Sequence, residues 1–335
     1  MRRVAIVGAA LLALVACQSR GVPTAEIPGE FIALHYRYPE LARRRAESLE
    51  EQRDPGVPGV APMDELAKFV NILFAAGGGL VPLDPFAGQL ALLNPQTGKV
   101  QPIPDALRGA IPLEWSPDRS RLLFTQRSNG LLQIFELERT RRHVRQITYG
   151  PKAHPRACYG PDGRFVLMVV ENSASGPRAG IVLTGRGGSD SIPLTSNPVA
   201  HSPTCAPDGS AVAWVEPRRH NVEHIVVRSP VATGPNRDLA PGHEPTFSPD
   251  SRWIAYSALR QKEWRLWRVR PDGTGRAPIG RRGMYTEQRP TISPDGRLVA
   301  YVAEIDHRQQ LYLRRFDGSG DRVLFANGDG AFPVW

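Results

Sequence analysis

The sequence predicts an all-β fold: a six-bladed β-propeller of four-stranded blades, closed by the C-terminal strand pairing into the first blade, with a short helical N-terminal segment. Three observations carry this prediction. A Ser-Pro-Asp-Gly turn or a near copy returns every 42–46 residues, at Ser116-Pro117-Asp118, Gly160-Pro161-Asp162-Gly163, Ala206-Pro207-Asp208-Gly209, Ser248-Pro249-Asp250 and Ser293-Pro294-Asp295-Gly296. Only β-type patterning separates the copies, and that period with that texture marks propeller blades. The chain ends on Ala331-Phe332-Pro333-Val334-Trp335, which matches the start of a unit and then stops.

The first sixteen residues read as a signal peptide. Arg2 and Arg3 supply its positive end, and Val4 to Ala16 is an apolar run too short to span a bilayer. It leads into Leu14-Val15-Ala16-Cys17, the pattern of a bacterial lipobox, in which the cysteine becomes the acylated N-terminus. Several acyl chains, at about 0.8 kcal/mol per buried CH₂, anchor a protein stably without a transmembrane helix. Gln18 follows Cys17; in lipoproteins an Asp there favours inner-membrane retention, so Gln18 implies the outer membrane and a periplasm-facing body. Residues 17–37 read as a tether. Residues 38–69 read as a helical segment with a linker: Pro39 suits a first helical turn, good helix formers follow to Arg53, and Asp54-Pro55-Gly56-Val57-Pro58-Gly59 ends the run.

The propeller is expected over residues 70–335. Its first blade is expected to use Asn71 to Ala75, Gln89 to Leu93 and Lys99 to Ile103, and to borrow its inner strand from the C-terminus. In the later units an apolar run follows each turn: Arg121 to Thr125, Phe165 to Val170, Ala211 to Val215, Trp253 to Ala258 and Leu298 to Ala303. Proline presets φ in such a turn, Asp bonds the N–H two residues on, and Gly accepts φ > 0. Arg119 and Ser251 stand where the glycine would be. Asp272-Gly273 and Asp317-Gly318 join further strands as hairpins.

The units Thr246-Phe247-Ser248-Pro249-Asp250-Ser251-Arg252-Trp253-Ile254-Ala255-Tyr256 and Thr291-Ile292-Ser293-Pro294-Asp295-Gly296-Arg297-Leu298-Val299-Ala300-Tyr301 resemble the repeats of TolB-type propellers, periplasmic relatives of WD-repeat proteins. The resemblance covers roughly residues 70–335 and implies the fold. TolB proper carries an α/β domain ahead of its propeller; the stretch before the propeller here is too short for it.

The formal charge of +9 falls to +7 without Arg2 and Arg3. A basic exported protein suits anionic lipid headgroups or an acidic partner. Nucleic acid is not expected, since no binding motif supports it. Beyond Cys17 the only cysteines are Cys158 and Cys205. They lie three residues before Pro161 and two before Pro207, out of register, and read as two buried small residues in preference to a disulfide.

Candidate binding residues lie where the chain leads into each inner strand. Six residues before the motif proline stand His201, His243 and Gln288, with His154 seven before Pro161 and Glu244, Glu287 and Arg289 alongside. These are expected to converge at one mouth of the central channel. No Gly-x-Ser-x-Gly elbow is present, and Gly185-Arg186-Gly187-Gly188 opens no helix. The reading is a monomeric, non-catalytic interaction module with no metal or cofactor, anchored by its N-terminal lipid and binding an envelope protein. The alternative is a small-ligand or metal-binding propeller, a hydrolase or lyase included, working through His154, His201 and His243.

Overall fold

The strands Ile32–Arg37 and Asp329–Val334 pair to close one ring of six four-stranded antiparallel sheets. The structure is a computed structural model and describes residues 21–37, 88–103, 107–173, 176–186, 190–260, 263–280, 286–305, 308–325 and 329–335. Blades two to six follow the chain from inner to outer strand. Their inner strands are Ile111–Trp115, Ala153–Tyr159, His201–Cys205, His243–Phe247 and Thr286–Ile292. Blade one is composite: Asp329–Val334 is innermost, then Ile32–Arg37, Gln89–Leu93 and Val100–Pro102. The C-terminal strand therefore closes the ring by hydrogen bonds and supplies the inner strand of blade one.

From Val22 onward, the expected tether is part of the propeller. Ile32–Arg37 pairs with Gln89–Leu93, Ile32 opposite Leu93 and Tyr36 opposite Gln89, although residues 38–88 lie between the two strands. The cause is apolar burial: Val22, Ile27, Ile32, Leu34 and Tyr36 share a cluster with Leu298, Leu311, Leu313 and Trp335. Blade six grips the same segment, with Arg315 forking onto Glu26 at 2.7 and 2.9 Å and Arg322 donating to Thr24 Oγ1 at 2.7 Å. The expected helical stretch 38–69 and the expected strand Asn71 to Ala75 lie outside the described residues. That strand's place in the sheet is held by Ile32–Arg37.

The recurrent turn explains itself atom by atom. In three copies the serine hydroxyl donates to the aspartate, at 2.5 Å for Ser116–Asp118, 2.5 Å for Ser248–Asp250 and 2.6 Å for Ser293–Asp295. The same hydroxyl accepts the N–H five residues on, and the aspartate accepts the N–H two residues on. Those donors, the Ser116 hydroxyl first, hold the Asp118 carboxyl down at about 2. Arg119 and Ser251 adopt the left-handed conformation (φ 57° and 59°) that glycine takes in the other copies, which costs each about 1–2 kcal/mol. Each side chain offsets part of that: the Arg119 guanidinium lies 5.4 Å from the Trp115 ring, and Ser251 Oγ accepts the Asp208 N–H of the neighbouring blade at 3.2 Å.

Cys158 and Cys205 are joined by a disulfide, with Cα atoms 5.6 Å apart. The expectation of two unlinked thiols fails because register was counted from the turn proline. By ladder pairing, Cys158 faces Val166 and Cys205 faces Val212, each five residues past its own proline. Blade three has one more residue between cysteine and proline, which displaces the motif and leaves the cysteines level. No helix among the described residues is long and apolar enough to cross a membrane.

Candidate functional site: the central channel

Four of the six inner strands carry the same left-handed bulge at the same height, and that bulge builds the site. The ladder slips between His201 and Thr204, His243 and Thr246, and Gln288 and Thr291, with a matching slip where Asp329–Val334 meets Ile32–Arg37. The first bulged residue is left-handed in all four: Ser202 (φ 52°), Glu244 (φ 51°), Arg289 (φ 54°) and Phe332 (φ 54°), each followed by proline. None is glycine, so each costs about 1–2 kcal/mol. A bulge re-aims a side chain, and strain repeated around one ring marks a conformation that the surroundings enforce. Here the four residues line the central channel together with Arg156.

The channel holds a cavity of about 260 Å³ that reaches solvent on the Pro-Asp turn face, where Pro117, Pro207 and Pro249 are exposed. Its inner level is charged. Arg289 Nε lies 2.9 Å from Glu244 Oε1, and the Arg289 backbone N–H donates to Glu244 Oε2 at 3.0 Å. The Phe332 ring lies near two guanidinium groups, its centroid 3.8 Å from Arg289 and 5.3 Å from Arg156. Nearer the turns, Trp115, Phe247, Ile292 and Trp335 form an apolar collar.

Burial lowers Arg156 to about 10, which leaves it cationic at neutral pH. Burial also pushes the Glu244 carboxyl up, against the pull of Arg289 and Arg156. Glu114, on the blade-two inner strand, is raised to about 8 by burial, although it accepts the Tyr159 N–H at 2.8 Å. At pH 7 the channel is therefore net positive: the guanidinium groups outnumber the one carboxyl that can be charged. A carboxyl raised on folding contributes stability fully present below its unfolded value, near 4.5, and lost as pH rises through about 8. Since Glu114 is partly exposed to the channel, that loss is about 1–2 kcal/mol between pH 5.5 and 8.5. Glu114→Gln is expected to remove it, so urea unfolding should show the variant gaining on the wild type as pH rises. Parallel pH profiles would refute the assignment.

Of the residues singled out in the sequence, Glu244 and Arg289 line the channel and the others do not. His154 is buried and bonded to Gln133 Oε1 at 3.1 Å, and burial lowers it to about 4. His201 Nε2 lies 3.2 Å from Glu223 Oε1. His243 is wholly buried, its ring 4.0 Å from that of Trp264, and burial holds it well below the ordinary histidine range. Glu287 receives Arg314 at 2.7 Å, and Gln288 is buried. His154 thus bridges to blade two, and His201 and His243 both lie against Glu223 of blade four. Among the described residues no three His, Cys, Asp or Glu side chains form a metal-ligating group. Sequence reasoning missed Arg156, Glu114 and Phe332; Phe332 had a signal, its place before the inner-strand proline as in Glu244-Pro245 and Arg289-Pro290, whereas Arg156 and Glu114 precede no proline.

Residues 89–285 match the TolB beta propeller domain family. An uncharacterized protein of Agrobacterium fabrum is 26% identical over 163 residues, which is 48% of this chain and 54% of that protein, so the match spans about half the relative's length. Among solved structures, TolB from Acinetobacter baumannii superposes with a TM-score of 0.64 at 14% identity, covering 91% of this chain and 66% of that one. A putative TolB from Agrobacterium tumefaciens superposes at 0.58 with 24% identity, covering 71% and 89%. Hydrazine synthase from Kuenenia stuttgartiensis superposes at 0.60 with 12% identity, covering 83% and 50%. At these identities the structures report the fold alone. The family match covers more than half of the chain, and with the repeated turn, the six blades and the closing strand it places this protein in the TolB beta propeller domain family.

Proposed function

We propose that the protein is a lipid-anchored, periplasm-facing interaction module of a bacterial outer membrane, doing no chemistry of its own. The observation that carries this is a closed propeller of the TolB beta propeller domain family set directly behind a lipobox pattern ending in Cys17. The Cys158–Cys205 disulfide supports export, because such bonds persist in oxidising compartments. The docking of Val22 on blade six sharpens the picture. At ~3.3–3.6 Å per residue, the five steps from Cys17 to Val22 reach at most about 18 Å. The ring is held close to the bilayer by the edge formed by blades six and one.

The test is cross-linking in intact cells of its host, with the full chain and Cys17→Ser side by side. The expected result is a membrane-bound wild type carrying one dominant, saturable cross-linked envelope protein, and a variant released to the soluble fraction. A variant that still sediments with membranes, or a wild type with no saturable partner, counts against the proposal.

A further inference from the structure

We propose that the central channel is a binding site for a carboxylate, received by the guanidinium groups of Arg289 and Arg156 with the ligand's apolar body against the Trp115, Phe247 and Trp335 collar. The inference stands on the channel's geometry and does not depend on the lipid anchor.

Arg289 carries unused donors in the channel. Its side chain is only 7% exposed, and its Nη1 and Nη2 atoms are buried with no hydrogen-bond partner among the described residues. Buried guanidinium donors left unpaired are costly, and proteins rarely keep them without a use. Glu244 binds the Nε edge and the backbone N–H. It fixes the plane of the group and leaves the other edge, with both Nη atoms, to whatever comes next. Two parallel N–H donors on a planar fork match the two oxygens of a carboxylate.

The surroundings select the same ligand. Arg156, 5.3 Å from the Phe332 ring, adds a second positive charge, which an incoming carboxylate balances while Glu244 balances Arg289. The four left-handed residues hold these groups at one level at a cost of about 1–2 kcal/mol each. Sites of ligand recognition are where such strain collects. The collar lies between that level and the turn face, so an incoming acid passes aromatic surface before its charge is met. A cavity of about 260 Å³ admits a small acid or the end of a chain, and excludes a folded domain. Two sources share this chemistry: a free apolar carboxylic acid, or the C-terminal carboxylate of a peptide with an apolar last residue.

The test is titration of the full mature protein, read by the fluorescence of the collar tryptophans and by calorimetry. Four probes are used: N-acetyl-phenylalanine, its amide, a hexapeptide ending in phenylalanine with a free C-terminus, and the same peptide amidated. The expected result is that at least one free acid binds ten or more times tighter than its amide. The amino-acid derivative alone would identify a free acid, the peptide alone a chain terminus, and both a carboxylate from either source. Arg289→Gln is expected to weaken binding at least tenfold. Because that change leaves Glu244 buried and unpaired, the double variant Arg289→Gln/Glu244→Gln keeps the shape without the orphaned charge and must show the same loss while unfolding cooperatively. Acids and amides that bind alike, no binding by any probe to folded wild type, or a folded double variant that binds as well as wild type would overturn the proposal.

Discussion

Removal of residues 329–335 is expected to abolish the cooperative unfolding of the propeller, and Trp335→Ala alone to cost about 3–5 kcal/mol. Trp335 is 5% exposed and packs with Ile32, Leu34, Leu93, Leu298 and Leu313. Its backbone N–H donates to Thr291 Oγ1 at 2.9 Å, tying blade one to blade six, and its Nε1 donates to the Glu30 carbonyl at 3.2 Å. On the other flank Trp115 Nε1 donates to the Val334 carbonyl at 3.3 Å, tying blade one to blade two. One short strand therefore holds both neighbouring blades as well as its own sheet partner Ile32–Arg37. A domain stable by about 5–15 kcal/mol has little margin for losing it, and deletion would also expose the edge of Ile32–Arg37 to pairing with other chains. Denaturant unfolding measures the point variant, and size-exclusion chromatography reports aggregation of the truncated one. A truncated chain that stays monomeric and unfolds at the wild-type midpoint would show that the closure contributes nothing.

What could be read from the sequence divides along the range of the interactions involved. The blade turn was legible because its chemistry is local: Ser248, Asp250 and the Trp253 N–H satisfy one another within six residues. The closing strand was legible because Phe332-Pro333 repeats the start of a unit. Ile32–Arg37 was not recognised as a strand, although Ile32-Ala33-Leu34-His35-Tyr36 is apolar and β-prone, because its partner lies beyond residue 88. The candidate site was half legible. Glu244 and Arg289 stood out as charged residues leading into inner strands, but so did the histidines one position earlier. In the sequence only the following proline separates the two positions, and the bulge gives the reason: the left-handed residue lines the channel, and its neighbour His201 or His243 is buried away from it.

Loss of the Cys158–Cys205 bond is the second large effect expected. The cross-link spans a sequence separation of 47 residues, and loop-closure entropy for a ring of that size gives about 4 kcal/mol of stabilisation. Both cysteines are nearly fully buried in one cluster with Ile111, Val166, Val212 and Trp214, between blades three and four. The bond thus joins two neighbouring inner strands beside the channel, level with one another despite the shifted motif in blade three. With Cys17 replaced by serine, the folded protein should show no titratable thiol without reductant and two after reduction in denaturant. Reduction, or the double substitution Cys158→Ala/Cys205→Ala, should lower the unfolding free energy by a substantial part of that 4 kcal/mol. The single variant Cys158→Ala leaves one buried thiol and should fall as far as the double one, since either change breaks the same ring. A reduced protein that unfolds at the oxidised midpoint would mean that packing between blades three and four, with Trp214 bonded to Glu216 at 2.8 Å, already holds the strands without the cross-link.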